Sequence, residues 1–166
     1  MIRHCTDNEF DRILAIINEA AQVYKGIIPD DRWKDPYMPA EELTNEISAG
    51  VIFSGYEIPR VGLVGVMGVQ FVEDVALIRH AYVVPEHQRS GIGSALLIQQ
   101  CTRLDRPVLV GTWADAKWAI AFYQRHGFKL VSMSEKSTLL RKYWTISDRQ
   151  NETSVVLADT RWYLLP

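Results

Sequence analysis

The stretch of the sequence that best suits a functional role is a glycine-containing turn between a predicted strand and a predicted helix. Val75 to Val84 is rich in β-branched and apolar residues, which is typical of a buried strand. Ile92, Leu96 and Leu97 follow with helical spacing. The turn consists of Gln88, Arg89, Ser90, Gly91, Ile92, Gly93 and Ser94. The first N–H groups of a helix have no internal partner, and glycine lets an anion approach the backbone, so this turn suits a phosphate group.

Two ionisable residues, Arg79 and His80, interrupt the same apolar strand. Successive side chains of a strand alternate between its faces, so we expect these two to point in opposite directions, with one of them facing a cleft. Histidine accepts a proton near neutral pH, which makes His80 a candidate catalytic base. A purely structural role for His80 is the alternative. Arg79 could bind an acidic substrate.

Aromatic residues form a second group of candidates. Trp113 ends the predicted strand Val108 to Trp113, and the irregular segment 26–39 is aromatic where loops normally carry small polar residues. Tyr24, Trp33, Tyr37 and Trp113 are therefore candidates for a substrate pocket. Covering the hydrophobic core is the competing interpretation for all four.

Alternating strands and helices must position these residues. Strands are predicted at Ile2–Cys5, Val51–Tyr56, Val61–Val72, Val75–Val84, Val108–Trp113, Phe128–Met133 and Ser154–Ala158. Helices are predicted from the capping box Thr6–Glu9 to Tyr24, at Pro39–Ala49, after Gly91, at Ala116–His126 and at Glu135–Trp144. The glycines of the third strand, Gly62, Gly65 and Gly68, indicate a bulge or close packing.

Composition excludes several classes of protein. The 166 residues are 48% hydrophobic and carry a net charge of −2, which fits one globular domain spanning 1–166. No basic cluster suggests nucleic-acid binding, and no apolar run of about 20 residues suggests a membrane span. The two cysteines have no metal-ligand neighbours, so we expect no metal. The sequence predicts a cytoplasmic protein with reduced thiols.

Two motifs resemble those of the GNAT superfamily of acyl-CoA-dependent N-acyltransferases. Gln88, Gly91 and Gly93 match the pyrophosphate loop of that family, and they follow Tyr82-Val83-Val84-Pro85. The second stretch, Ala119 to Phe128, is similar to the second signature of the family. The resemblance implies the GNAT fold, a mixed α+β fold with a mostly antiparallel twisted sheet of about seven strands. Helices flank this sheet, and it splays apart at the acetyl-CoA site.

The resemblance also implies how acetyl-CoA would be held. The pantetheine arm would pair with the exposed strand edge at Ala81, Tyr82, Val83 and Val84, and the backbone of 88–94 would bind the pyrophosphate. A backbone N–H near Val83 would support the acyl carbonyl. Tyr123 would contact the cofactor and protonate the departing thiolate, since a phenol remains protonated at neutral pH. The implied reaction is direct attack by a primary amine of a small molecule or protein in a ternary complex.

Two departures from the family pattern keep alternatives open. Ala116 replaces an asparagine that contacts the cofactor in many relatives, and Gly111 replaces a glutamate base of some N-terminal acetyltransferases, so the proton acceptor is unassigned. A non-catalytic acyl-CoA-binding module and a protein-binding adaptor are therefore competing interpretations. The segment Glu135 to Asn151 is longer than a hairpin needs, and we expect either a lid over the amine site or the contact of a homodimer.

Overall fold

A seven-stranded sheet forms the centre of the computed structural model, which describes residues 1–166. The strands are β1 (Ile2–His4), β2 (Ile52–Ile58), β3 (Gly62–Val72), β4 (Val75–Val83), β5 (Val108–Trp113), β6 (Lys129–Leu130) and β7 (Ser154–Ala158). Their order across the sheet is β1-β2-β3-β4-β5-β7-β6, and only the β4–β5 pair is parallel. The expected GNAT architecture, a mostly antiparallel sheet flanked by helices, is confirmed.

Six α-helices surround the sheet: α1 (Phe10–Ala21), α2 (Ala40–Ser48), α3 (Ile92–Arg103), α4 (Lys117–Arg125), α5 (Met133–Tyr143) and α6 (Asp148–Glu152). The predicted capping box is present, but Asp7–Glu9 forms a 3₁₀ turn before α1 begins. Further 3₁₀ turns lie at Gln22–Tyr24, Asp30–Arg32, Pro85–His87 and Trp162–Leu164. None of the helices has the length and hydropathy needed to span a membrane.

The sheet splays between its two parallel strands. β4 pairs with β5 only through Ala76, Leu77 and Ile78, whereas β4 continues to Val83 and β5 continues to Trp113. Beyond Ile78 the β4 backbone therefore has a partner strand on its β3 side only. This leaves an open wedge between the carboxyl ends of β4 and β5.

A β-bulge interrupts the pairing of β3 with β4 and corrects one expectation from the sequence. Gly68 pairs with Arg79 and Val66 pairs with Tyr82, so two β4 residues lie where β3 has one. His80 adopts a left-handed φ of 50° within this bulge. The strict alternation expected for Arg79 and His80 was wrong, because an extra residue in a strand changes which face the next side chain takes. Both side chains turn toward α2.

Glycines of β3 allow the close packing that surrounds the bulge. A Cβ added at Gly68 would lie 2.9 Å from the carbonyl oxygen of Arg79, and one at Gly65 would lie 3.0 Å from the Ile92 side chain. A side chain at Gly68 would therefore collide with the β4 backbone itself. The bulge indicated by the glycine spacing is present in the structure.

The C-terminal part of the chain differs from the predicted pattern. The predicted strand Phe128–Met133 is only two residues long, because Ser132 accepts the Glu135 N–H at 3.2 Å and caps a helix that begins at Met133. A serine N-cap stabilises a helix start and ends the preceding strand. A second short helix, α6, then leads into β7. The segment between the last two strands is therefore helical and not a plain loop.

Candidate active site

The turn before α3 presents three backbone N–H groups that have no partner in the protein. The Ala95 N–H donates to Gly91 O at 2.9 Å, which is the first hydrogen bond of the helical ladder. The N–H groups of Ile92, Gly93 and Ser94 precede it and are free. Gly91 has a left-handed φ of 84°, and a Cβ built on it meets nothing within 4 Å. The turn is therefore an open cradle of donors at a helix N-terminus, which favours an anion.

The end of β4 turns its polar groups toward the wedge. Val83 pairs with Gly65, and the adjacent Val84 N–H donates to Val64 O at 2.9 Å. This pattern makes Val83 a non-hydrogen-bonded position of the antiparallel ladder, so its own N–H and C=O point away from β3. Gln88 Nε2 donates to Val83 O at 2.9 Å and connects the turn to the strand. The Val83 N–H remains available in the wedge.

A cavity of about 180 Å³ opens beside the bulged part of β4. Its walls come from four parts of the chain: the segment 24–46, β4, β5 and the segment from α5 to β7. Arg79, His80, Tyr24, Tyr37 and Trp113, all singled out from the sequence, line it together. Trp33 does not line the cavity, but stacks on Tyr37 with ring centroids 5.9 Å apart.

One carboxylate of α2 binds both ionisable residues of β4. Arg79 Nη2 donates to Glu46 Oε1 at 3.0 Å, and His80 Nε2 contacts Glu46 Oε2. Burial alone would raise the pKa of Glu46, but the hydrogen bonds and charges of His80 and Arg79 outweigh burial and lower this pKa. With the His80 proton on Nε2, facing the carboxylate, Nδ1 is the proton-accepting atom of the ring. Nδ1 has no partner in the protein.

Aromatic hydroxyl groups cluster on the opposite wall. Trp113 Nε1 donates to the Tyr37 hydroxyl at 2.8 Å. The Tyr24 ring lies 5.3 Å from that of Tyr37 and 6.3 Å from that of Tyr82. Burial raises the pKa of all three tyrosines, so they stay protonated. The wall is apolar in its rings and can donate hydrogen bonds from its edges.

Tyr123 is buried on α4 and does not line this cavity. Its side chain packs between Phe122 and Phe128, and it belongs to the hydrophobic cluster that contains Leu97 of α3 and Val110 of β5. Burial and the neighbouring Tyr24 raise its pKa, which keeps the phenol protonated. Its hydroxyl makes no hydrogen bond within the protein. The structure therefore places Tyr123 outside the cavity that Arg79 and His80 line.

The segment from α5 to α6 lies over one side of the cavity. Leu140, Trp144, Ile146 and Gln150 line it, and a Cβ built on Gly111 would lie 3.5 Å from the Trp144 ring. The indole ring of Trp144 therefore faces Gly111, the position at which the resemblance implies a glutamate in some relatives. The buried Lys136 donates from Nζ to the Asn151 carbonyl oxygen at 2.6 Å and connects α5 to α6.

Sequence reasoning missed two residues of this site, Arg32 and Glu46, whereas Trp144 belongs to the segment that was expected to lie over the amine site. Glu46 lies on the predicted helix Pro39–Ala49, but nothing in its local sequence indicates that it meets β4. Arg32 and Trp144 reach the cavity from segments 112 residues apart in the chain. No group of three or more His, Cys, Asp or Glu side chains is arranged to hold a metal ion.

Comparison with known proteins agrees with the fold and the turn. A family model described as an acetyltransferase (GNAT) domain matches residues 52–130, which include β2 to β6, the turn and Tyr123. A search of curated proteins found no match. The family match and the fold both support a GNAT acetyltransferase domain in this chain.

Solved structures with the same fold share little sequence with this chain. PaiA N-acetyltransferase from Thermoplasma acidophilum, in complex with coenzyme A, has 18% identity and a TM-score of 0.71, with 96% of this chain and 97% of that chain covered. A GNAT-family acetyltransferase from Staphylococcus aureus Mu50 has 16% identity, a TM-score of 0.71 and the same coverage. N-acetylglutamate synthase from Neisseria gonorrhoeae, complexed with coenzyme A and N-acetyl-glutamate, has 20% identity and a TM-score of 0.63. The match covers 96% of this chain and 34% of that chain.

Proposed function

We propose that the chain is one domain, 1–166, and an acetyl-CoA-dependent N-acetyltransferase that works by direct attack of a primary amine in a ternary complex. One observation supports the proposal: the structure has three features together. They are the free N–H groups of Ile92 to Ser94, the outward-facing N–H of Val83 in the wedge, and the cavity beside His80. Together they offer sites for an anion, for an acyl carbonyl and for an amine.

The residues at the turn and at the β4 edge fit acetyl-CoA. In this proposal the backbone of 88–94 binds the pyrophosphate, and the unpaired edge at Ala81 to Val84 binds the pantetheine arm as an added strand would. Gln88 supports the turn through Val83 O. Acetyl-CoA supplies an activated acetyl thioester, whose carbonyl oxygen would accept from the Val83 N–H.

His80 and Tyr123 would manage the two protons of the transfer. Nδ1 of His80 takes the proton that the amine must lose, directly or through water, while Glu46 holds Nε2 and fixes the ring. The C–N bond forms as the C–S bond breaks, and the Tyr123 hydroxyl donates its proton to the thiolate. A buried, protonated phenol without another partner is suited to that donation.

A screen of amines tests the proposed activity. Purified protein is incubated with acetyl-CoA and each amine, and thiol release is followed; calorimetry measures acetyl-CoA binding separately. Turnover that depends on the amine supports the proposal. Binding of acetyl-CoA without turnover on any amine would favour the non-catalytic acyl-CoA-binding module, and failure to bind would favour the adaptor.

The proposal also includes a cytoplasmic location and a homodimer. Cys5 and Cys101 are free thiols whose pKa values burial raises to about 11, so both are unreactive. Two unpaired thiols fit the reducing environment of the cytoplasm. A homodimer remains a prediction, which light scattering of the purified protein would test.

A further inference from the structure

The cavity beside β4 contains one cation that the protein itself does not neutralise. Arg32 ends the 3₁₀ turn Asp30–Arg32 and lines the cavity. Its Nε atom is buried and has no hydrogen-bond partner, and its guanidinium forms no ion pair. A buried donor without an acceptor costs free energy, so native structures rarely keep one without a reason. The free guanidinium therefore indicates an acceptor that arrives from outside.

The other charges of the cavity wall are paired. Lys34 Nζ lies 2.6 Å from Glu42 Oε2, and Arg79 Nη2 lies 3.0 Å from Glu46 Oε1. The three Lys and Arg side chains of the cavity thus face two carboxylates, and one positive charge is left over before histidine is counted. Glu46 uses both carboxylate oxygens, Oε1 with Arg79 and Oε2 with His80, and Glu42 uses Oε2 with Lys34. The cavity is therefore complementary to an anion and not to a polycation.

The backbone that carries Arg32 is restrained from across the cavity. Arg149 of α6 donates from Nε and Nη2 to the two carboxylate oxygens of Asp31, at 2.8 and 3.0 Å. Both carboxylate oxygens of Asp31 bind Arg149, and Asp31 forms no hydrogen bond or ion pair with its neighbour Arg32. This bidentate pair joins the 3₁₀ turn to α6, so that the guanidinium of Arg32 is held at the cavity wall. A planar guanidinium with free donors binds carboxylates in particular.

We propose that Arg32 binds a carboxylate of the amine acceptor, and that the acceptor is an amino acid or another small amino-carboxylate. The inference rests on the proposed function, because the amine of the same molecule must reach His80. Both groups line one cavity of about 180 Å³, which suits a small molecule. The rings of Tyr37 and Trp113 offer an apolar wall for a side chain of the acceptor.

Matched acceptors that differ only in the carboxylate test the proposal. L-alanine, L-leucine and L-phenylalanine are compared with their α-carboxamides and with the corresponding decarboxylated amines. The wild-type protein should acetylate at least one free acid with a kcat/KM about 10- to 100-fold above that of its amide, the range expected for a charge-assisted hydrogen bond. Preference for the amide, the decarboxylated amine or a polyamine such as spermidine overturns the inference.

The variant Arg32→Gln separates recognition from folding. It should reduce kcat/KM for the free acid to the level of the amide, mainly through KM, and leave the amide rate and acetyl-CoA affinity unchanged. Arg141→Gln is the matched control, because Arg141 is exposed on α5 and forms no ion pair. An undiminished preference for the acid in Arg32→Gln contradicts the proposal. Equal losses on acid and amide also contradict it, since they indicate a structural role.

The two proposals fail in different ways. If no amine of any kind supports thiol release, the acetyltransferase activity itself is wrong. If amines without a carboxylate are acetylated best, the activity stands and the role of Arg32 is wrong. Calorimetric binding of L-phenylalanine to the protein saturated with desulfo-CoA gives a readout without turnover, and Arg32→Gln should weaken that binding about 10-fold or more.

Discussion

Arg79 and His80 are consecutive residues of one strand, and their side chains contact the same carboxylate, that of Glu46. The bulge makes this possible, because His80 takes a left-handed conformation that reverses the usual alternation. The carboxylate therefore fixes the histidine ring, and the hydrogen bonds and charges of His80 and then Arg79 lower the pKa of the carboxyl. Glu46 is a positioning residue in the proposed mechanism.

Replacing this carboxylate should impair catalysis without impairing cofactor binding. We expect Glu46→Gln to lower kcat about 10-fold or more, because an amide holds Nε2 of His80 less strongly than a carboxylate does and the ring is less well oriented. Acetyl-CoA affinity should be unchanged by calorimetry. Glu41→Gln, an exposed position of the same helix without an ion pair, is the control. A kcat identical to wild type would show that Glu46 has only a structural role.

The sequence was sufficient to predict features that depend on neighbouring residues. Periodicity predicted seven strands, and the Gly91-x-Gly93 pattern located the turn, because a strand end, a left-handed glycine and a helix start all leave local signatures. Glu46 and Arg32 leave none. Glu46 contacts Arg79, more than 30 positions away in the chain, and Arg32 lines the same cavity as Trp144; only the folded chain brings these residues together.

The proposed phosphate site includes a left-handed residue, Gly91, at the start of α3. Gly91→Val should weaken acetyl-CoA binding at least about 10-fold, because a branched side chain disfavours a φ of 84° and would project toward the site of the phosphates. Gly62→Val is the matched control: Gly62 has a φ of 96° and a Cβ there also meets nothing within 4 Å, but it is the first residue of β3. Calorimetry measures affinity, and thermal unfolding measures the strain in both variants. Normal affinity in a folded Gly91→Val protein would exclude the cradle.

The Asp31–Arg149 pair should control access to the amine site. Arg149→Asp places two carboxylates together, and we expect it to raise KM for the amine about 3- to 10-fold while acetyl-CoA affinity stays constant. The double exchange Asp31→Arg with Arg149→Asp restores opposite charges and should recover most of the loss, as double-mutant cycles detect coupling. If the double variant has the same KM for the amine as the single variant Arg149→Asp, then α6 is not a lid. A dimer contact then becomes the better interpretation of 135–151.

An ion pair near the N-terminus should make stability sensitive to acid. Arg3 Nη2 lies 2.7 Å from Glu9 Oε1, and the hydrogen bonds from Arg3 are the largest of the effects that lower the pKa of Glu9 to about 2. A lowered folded-state pKa stabilises the native protein above the unfolded value of about 4.3. That stabilisation is lost as the pH falls toward 2. Glu9→Gln should therefore lower Tm at pH 7 by a few degrees and have progressively less effect below pH 4. A constant difference from pH 7 to pH 2.5 would contradict this assignment.

At Tyr123 chemistry can be separated from packing, because the residue is buried and its hydroxyl makes no hydrogen bond within the protein. Tyr123→Phe keeps the ring against Phe122 and Phe128, so Tm and acetyl-CoA affinity should stay near wild type. Loss of a general acid typically costs about 10²- to 10⁴-fold in rate, and we expect a kcat loss near the lower end, since a thiolate is a good leaving group.

The matched control for this change is Tyr143→Phe. Tyr143 is also buried, but its hydroxyl donates to Asp74 Oδ1 at 2.7 Å. Removing that hydroxyl should lower the free energy of unfolding by about 1 kcal/mol, because Asp74 loses a partner, and it should leave kcat largely intact. The two variants are thus expected to show opposite patterns, with rate lost in one and stability lost in the other. Wild-type kcat in Tyr123→Phe, measured on an amine from the screen, would assign Tyr123 to packing and remove it from the mechanism.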